Sequence, residues 1–396
     1  MSKFELLAPA GDLEKLKVAI LYGANAVFIG GLKFSLRSRA SNFTLEDIKE
    51  GCDFAHKHHA KIHVTCNIVM HEHDTLDIIE YLKALEDCGV DCIIASSISI
   101  LKLVKENTKM EAHVSTQFSS SNQEVVKFFE GLGMDRVVLA RELDLDSIKM
   151  IREASNIDLE VFIHGGMCVS FSGRCMLSNN MTNRDANRGG CAHSCRWNYD
   201  LVKDSITYNP EGDYFAMSSK DLCAVPLLPK LMDLGINSFK IEGRMKSLHY
   251  IATVINSYRL LIDEYESTGK VKDIKKYENM IMKAENRLTS IGFLNGNPTV
   301  NEQLYDLNLT VPTKDFIGIV RSYNIETKEA IIEQRNYFLP NTTIEVFSPR
   351  GTFNLDIKEI YDKDGNILDA ARHPLQEIHF KSDIELKPFD LLRLLW

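Results

Sequence analysis

ELLAPAGDLEKLKVAILYGANAVFIG (residues 5–30) is the stretch on which the fold turns. Glu5–Pro9 and Ala26–Gly30 are short and mostly apolar, while LEKLKVAILYG (13–23) sets apolar residues three and four apart. The first pattern suits a buried strand, the second an amphipathic helix. Gly23 closes the helical run, where a left-handed cap favours glycine. The unit is strand, helix, strand, and it repeats. Further strands are expected at Lys61–Asn67, Cys92–Ala95, Glu111–Gln117, Arg136–Ala140, Leu159–His164 and Ser238–Glu242. Between most of them lie runs such as LDIIEYLKALEDCG (76–89), and Gly89, Gly133 and Gly235 also stand at helix ends. Eight strands alternating with helices over roughly 250 residues predict an α/β fold, a (β/α)8 TIM-like barrel. An open doubly wound sheet is the competing arrangement. It calls for GxGxxG after the first strand, where LAPAGD (7–12) stands instead.

The chain has 396 residues, enough for about two domains. Hydrophobic residues make up 44% and charged residues 26%, the balance of a soluble globular protein. No apolar run reaches the length of a membrane-spanning helix, and MSKFELLAPAGD lacks a charged-then-apolar leader. A cytoplasmic location is therefore expected, where thiols stay reduced and clustered cysteines bind metal or do catalysis. A net charge of -9 excludes a surface coated in basic residues but not a local basic patch. The barrel is expected over 1–265, with a long cysteine-rich insertion at 165–237. A polar helical linker follows over 266–312. From 313 to 396 the pattern becomes short alternating strands, FIGIVRSYN, KEAIIEQRN, TTIEVFSP and TFNLDIKEIYD, with a hairpin signal at KDGN (363–366). This predicts a small C-terminal β-barrel domain.

The insertion follows the seventh strand. Loops of that length inside a compact domain are usually functional, and this one starts at the strand end where barrel active sites are built. HGGMCVSFSGRCMLSNNMTNRDANRGGCAHSCRW (164–197) holds four of the nine cysteines. The spacing is Cys168-x6-Cys175-x15-Cys191-x3-Cys195-x27-Cys223. Structural zinc sites favour tight pairs, and only Cys191 and Cys195 form one. Four thiols on irregular backbone also suit an iron–sulfur cluster, whose ligand spacings vary. Gly165, Gly166, Gly173, Gly189 and Gly190 let the chain fold tightly there. The CxxxCxxC pattern is absent. Cys52, Cys66, Cys88 and Cys92 stand in helix or strand contexts and read as core. HEHD (71–74) can bind a metal, though such a run is more often a solvated loop.

DLEVFIHGGMCVSFSGRCMLS (158–178) resembles the signature of peptidase family U32, the collagenase-like proteases. The matching residues are Glu160, Phe162, Gly165, Gly166, Met167, Cys168, Gly173, Cys175, Leu177 and Ser178, with Gly166 where the pattern prefers Ser or Ala. LLAPAGD (6–12), SSKDLC (218–223), SFKIEGRMKS (238–247), RNYF, IEVFSP and PFDLLRL extend the resemblance across the chain. It implies more than proteolysis. Several members are iron–sulfur proteins that hydroxylate RNA bases or the ubiquinone precursor without oxygen, with prephenate implicated in the RNA reactions. The branch with the C-terminal β domain makes 5-hydroxyuridine at the tRNA wobble position. The family's cluster, expected as [4Fe-4S], is held by four cysteines. By motif matching these are Cys168, Cys175, Cys191 and Cys223, with Cys195 in reserve. The peptidase reading lacks machinery, since neither HExxH nor GxSxG occurs and a cysteine nucleophile needs a partner histidine. A third reading is a non-catalytic iron–sulfur or zinc scaffold acting with a paralogous partner.

Residues ending barrel strands face the mouth: Asn67, Thr116, Gln117, Arg141, Glu142, His164, Glu242, Arg244 and Lys246. Arg244, Lys246, Glu242 and His164 are the catalytic candidates. KIEGRMKS (240–247) gathers basic residues around a glycine and suits a small anionic co-substrate. His113 is expected as a buried, satisfied histidine. Arg174, Arg184, Arg188 and Arg196 are opposed by Asp185 alone, and Arg37 and Arg39 follow the second strand. Such a patch fits an RNA backbone, with tRNA as partner. Trp197, Phe171 and Phe34 are candidates to stack on an extruded base.

Overall fold

The structure is a computed structural model describing residues 2–36, 42–212, 214–284, 287–304 and 315–395. Contacts divide it into two units, Met1–Met282 with Asn286–Thr310, and Lys283–Glu285 with Val311–Trp396.

In the first unit eight strands run parallel: β1 (Glu5–Pro9), β2 (Ala26–Gly30), β3 (Lys61–Cys66), β4 (Cys92–Ala95), β5 (Glu111–Val114), β6 (Arg136–Val138), β7 (Asp158–Gly165) and β8 (Ser238–Ile241). Each pairs with the next, and β8 pairs with both β7 and β1, closing the expected barrel. Helices α1 (Leu13–Leu21), α2 (Leu45–Lys57), α3 (Ile78–Asp87), α4 (Ile98–Asn107), α5 (Gln123–Gly131) and α6 (Leu145–Ala154) follow the first six strands. The starts of α1, α2, α5 and α6 are set by short polar side chains that satisfy first-turn amides. Asp12 accepts from the Lys15 amide at 2.8 Å, Asn122 from Val125 at 3.0 Å and Asp144 from Ser147 at 2.8 Å, and Thr44 with Asp47 forms a capping box. Gly23, Gly89, Gly133 and Gly235 all have positive φ.

Side chains alternate across each strand. Leu6, Val27, Ile62, Ile93, Val137 and Leu159 are fully buried on one face. The opposite face mixes an apolar cluster of Leu7, Ala26, Phe28, Cys92 and Ile94 with buried charged residues. Arg136 pairs with Glu5 and lies 3.3 Å from Glu160, Lys240 Nζ is 2.8 Å from Glu160, and Ser238 Oγ donates to Glu5 at 2.8 Å. Lys240 Nζ also stands 4.5 Å from the Phe28 ring centroid. Two acids balance two bases. Burial opposes ionisation of Glu160, yet Lys240 and Arg136 hold its carboxyl below the usual range. The signature residue Glu160 is thus half of a buried ion pair.

Two short helices, α7 (Leu177–Thr182) and α8 (Leu228–Asp233), fall between β7 and β8. The long α9 (Leu248–Thr268) follows β8, and α10 (Ile274–Met282) packs on it with Tyr277 and Ile281 buried. Thr289–Ser290 adds to the sheet beside the short strand Asp221–Cys223, which runs antiparallel to β7. Much of the segment expected as a linker therefore folds into the barrel unit.

The second unit is an antiparallel sheet of β9 (Phe316–Asn324), β10 (Glu329–Gln334), β11 (Thr342–Ser348), β12 (Gly351–Ile357), β13 (Ile360–Tyr361), β14 (Ile367–Leu368), β15 (Glu377–Lys381) and β16 (Leu391–Leu394). The order is β12-β11-β16-β9-β10-β15-β13-β14. Its core includes Ile317, Ile332, Phe338, Ile344, Ile378 and Phe380. The KDGN turn joins β13 to β14, with Gly365 at φ 84°. No helix among the described residues is long and apolar enough to cross a membrane.

Candidate active site

The loop after β7 leaves the barrel at Gly165, whose φ is 105°. A Cβ there would stand 2.3 Å from the Glu242 carbonyl oxygen, so only glycine fits. The loop then docks on the ends of neighbouring strands. Ser119 Oγ, after β5, donates to Ser172 O at 3.2 Å, and the Val69 amide, after β3, donates to Asn187 O at 3.1 Å. Arg188 donates to Asp74 Oδ2 at 2.5 Å and Oδ1 at 3.1 Å, and also to Val69 O. That hydrogen bond holds the Asp74 carboxyl down at about 2. HEHD is thereby a docking segment, and Arg188 is engaged by it. Within the loop, Asn187 Nδ2 donates to Cys175 O at 3.1 Å and the Ala192 amide to Ser178 Oγ at 3.0 Å.

This framework brings Cys168, Cys175, Cys191 and Cys195 together as free thiols. Burial pushes the Cys195 thiol up, Arg196 opposes that, and the nearby sulfurs of Cys168, Cys191 and Cys175 add to the rise. Cys223 lies elsewhere. It is buried in the strand beside β7, with its sulfur 3.8 Å from Tyr258 Oη, and burial pushes its thiol up. The structure thus groups Cys195, the residue held in reserve, with Cys168, Cys175 and Cys191 rather than with Cys223. Four sulfurs around one zinc ion, each about 2.3 Å from it, would stand about 3.8 Å apart. Among the described residues, the one group of three metal-ligating side chains with donor atoms within 4.8 Å of each other is His63, Cys92 and His113. No three of the loop thiols meet that spacing. An all-sulfur donor set on irregular backbone, with arginines nearby to offset thiolate charge, fits a polynuclear iron–sulfur core better than one zinc. One of those arginines is Arg287, whose charge is felt with those of Arg196, Asp221 and Cys195. It comes from far along the chain and was missed in the sequence.

The mouth itself is polar. Arg244, after β8, is buried, with Nη1 donating to Ser35 Oγ at 3.2 Å and Nη2 to Asn42 Oδ1 at 3.0 Å. Gly30 makes room for it, since a Cβ there would stand 2.4 Å from Nη2. Asn67 Nδ2 donates to Gln117 Oε1 at 2.7 Å, and Gln117 Nε2 returns a bond to Asn67 O at 2.7 Å. The Arg141 guanidinium lies 3.9 Å from the Phe162 ring centroid and 3.9 Å from Glu242 Oε2. Burial pushes the Glu142 carboxyl up. Guanidinium groups held in fixed orientation are suited to planar anions.

The remaining candidates divide. Lys246 Nζ stands 4.7 Å from the Tyr250 ring. His164 is buried against α9, with Nδ1 3.3 Å from Tyr258 Oη and its ring 5.9 Å from that of Tyr250. Arg174, Phe171 and Trp197 are exposed on the loop, and Arg184 and Arg196 are half-buried. Arg37 and Arg39 lie outside the described residues.

Residues 11–304 match peptidase family U32, and residues 312–393 match the peptidase family U32 C-terminal domain. The chain is 46% identical to the tRNA hydroxylation protein P1 of Bacillus subtilis, over 99% of this chain and 94% of that protein. It is 40% identical to the 23S rRNA 5-hydroxycytidine C2501 synthase of Escherichia coli, over 66% of this chain and 39% of that one. A Porphyromonas gingivalis collagenase is 34% identical, over 75% of this chain and 73% of that protein. With both of its units matched, and with relatives this similar along nearly its whole length, the chain belongs to peptidase family U32.

Proposed function

We propose that this chain is an RNA hydroxylase that forms 5-hydroxyuridine at the wobble position of tRNA, using an iron–sulfur cluster and no molecular oxygen. The observation that carries the reading is the gathering of Cys168, Cys175, Cys191 and Cys195 in a loop docked on the ends of barrel strands, where barrel enzymes do their chemistry. The names of the Bacillus subtilis and Escherichia coli relatives support the substrate class.

Cys168, Cys175 and Cys191 would hold the cluster. The fourth thiol is Cys195 on the grouping of side chains, or Cys223 on the motif SSKDLC. When bound, the cluster supplies redox and Lewis-acid chemistry at the mouth. The residues of the chain do the rest. Arg244 and Arg141 present fixed positive charge to an anionic co-substrate, and Glu242 holds Arg141. Replacing the C5–H bond of uridine by C5–OH is a two-electron oxidation, so the co-substrate must act as a two-electron oxidant, with the oxygen atom coming from it or from water. The family resemblance points to prephenate for that role. Trp197 and Phe171 offer exposed rings to an extruded base, and Arg174 an exposed charge to phosphate.

The test is nucleoside mass analysis of tRNA from a strain lacking this protein and its paralogues, with and without the cloned gene. Restoration of 5-hydroxyuridine derivatives is expected. Restoration by a chain lacking Cys168, Cys175 and Cys191 would overturn the reading.

A further inference from the structure

Three side chains inside the barrel form a cluster that the mouth chemistry does not use. His63 on β3, Cys92 on β4 and His113 on β5 come from three adjacent strands, with His63 opposite Cys92 and His113 opposite Ile94 in the register. All three are completely buried. Their donor atoms lie within 4.8 Å of one another, and the two imidazole rings meet edge to face with centroids 5.1 Å apart.

The hydrogen bonding around them is incomplete. Neither nitrogen of His63 has a partner, although both are buried. His113 Nε2 stands 3.0 Å from Glu111 Oε2, while its Nδ1 is buried without a partner. Buried polar atoms in native proteins are nearly always satisfied, so three such nitrogens beside one thiol need an explanation. Glu111 supplies part of it. A carboxylate that accepts a hydrogen bond from the Nε2–H of a histidine fixes the tautomer and leaves the lone pair on Nδ1, as it does for metal-binding histidines.

We propose that His63, Cys92 and His113 are a metal site inside the barrel, taking a single thiophilic transition ion, zinc or copper(I). Two imidazoles and a thiolate are the donors these ions prefer, whereas magnesium and calcium take oxygen. Burial keeps both imidazoles neutral, lowering His63 to about 3 and His113 in the same direction, so each has a lone pair to give. Burial pushes the Cys92 thiol well above its ordinary range, and coordination reverses this by taking the thiolate. Loading therefore releases one proton, from Cys92. The ion ties β3, β4 and β5 across the barrel. Because the site is enclosed, the ion enters as the barrel folds and leaves slowly.

The full chain is produced in zinc-supplemented and in copper-supplemented medium, then desalted against a chelator. Elemental analysis is expected to find a single equivalent of zinc or of copper. X-ray absorption at the metal edge is expected to show two nitrogen neighbours and one sulfur. The metal is expected to persist when Cys168, Cys175 and Cys191 are all replaced by serine, which separates this site from the loop thiols. It is expected to be lost in Cys92→Ser and in His63→Gln, with folding followed by circular dichroism. Absorption on the unaltered chain needs no variant to fold. Neither ion above background, or a metal with only sulfur neighbours, would overturn the proposal. The result is independent of whether the chain hydroxylates RNA.

Discussion

Lys240 Nζ lies 2.8 Å from Glu160 Oε1 inside the barrel, and both side chains are buried. Glu160 also takes the Arg136 guanidinium at 3.3 Å. Removing one partner from a buried pair leaves the other charge uncompensated, at a cost of about 3–5 kcal/mol. Glu160→Gln is expected to lower the urea midpoint accordingly. Glu160→Gln combined with Lys240→Met should recover part of the loss, because the stranded ammonium is gone. A single variant as stable as the parent would show that the pair adds nothing.

Glu5 gives the same network a pH signature. Burial opposes its ionisation, but Arg136 and then His63 outweigh it and bring the carboxyl from 4.5 down to about 2. A carboxyl lowered in the folded state stabilises fully above its unfolded value and loses that effect as pH falls through its folded value. The melting temperature is therefore expected to hold above about pH 5 and to fall between 4.5 and about 2. Glu5→Gln should reduce that slope as well as the neutral stability.

Gly165 is the narrow passage between strand and loop. With φ at 105° and the Glu242 carbonyl 2.3 Å from where a Cβ would stand, Gly165→Ala must shift the start of the loop. The barrel should survive, since its closure rests on β8 pairing with β1 and β7. The expected outcome is near-normal circular dichroism with faster amide exchange across 165–197. Unchanged exchange would mean that the loop is held by its docking contacts alone.

The loop surface separates two kinds of arginine. Arg174 is exposed, whereas Arg188 is tied to Asp74 and Val69. Arg174→Ala is expected to weaken tRNA binding evenly across sequences and to reduce the salt slope by about 1, the mark of one lost phosphate contact. Trp197→Ala should cost about 1–3 kcal/mol of binding if it stacks on a base. Arg188→Ala should instead loosen the loop. Binding measured against salt concentration distinguishes the three.

The barrel was legible because its signals are local. Apolar runs such as AVFIG, helix caps such as Asp12 and glycines after helices each act within a few residues. Strand ends were less so. The fifth strand stops at Val114, short of Gln117, because Ser115 accepts the Gln117 amide and starts a tight turn there. The polar interior was invisible, since a lysine or glutamate in a strand looks the same whether it faces solvent or a partner across the barrel. Glu160, Lys240 and Arg136 meet through closure of the sheet, which no spacing along the chain encodes. The same holds at the mouth. The run from Cys168 to Cys195 marked the loop, but Arg287 reaches it from beyond α10, and only folding separates Cys195 from Cys223.

That last pair yields the sharpest prediction for the loop. A cluster with four thiol ligands needs one more beyond Cys168, Cys175 and Cys191. Cys195 shares their electrostatic environment, while Cys223 stands against Tyr258. Serine at any of the first three is expected to remove most of the iron and the visible absorbance of anaerobically purified protein. Of Cys195→Ser and Cys223→Ser, one and not both should do the same, and the spared variant should keep parental iron. A ligand contributes a thiolate that serine does not replace, whereas a core thiol such as one packed on Tyr258 exchanges for a hydroxyl at a cost in stability alone. Iron content and thermal midpoint, measured on both variants, therefore assign each cysteine a role. Parental iron in both, or loss in both, would mean that the loop does not bind a cluster through four thiols.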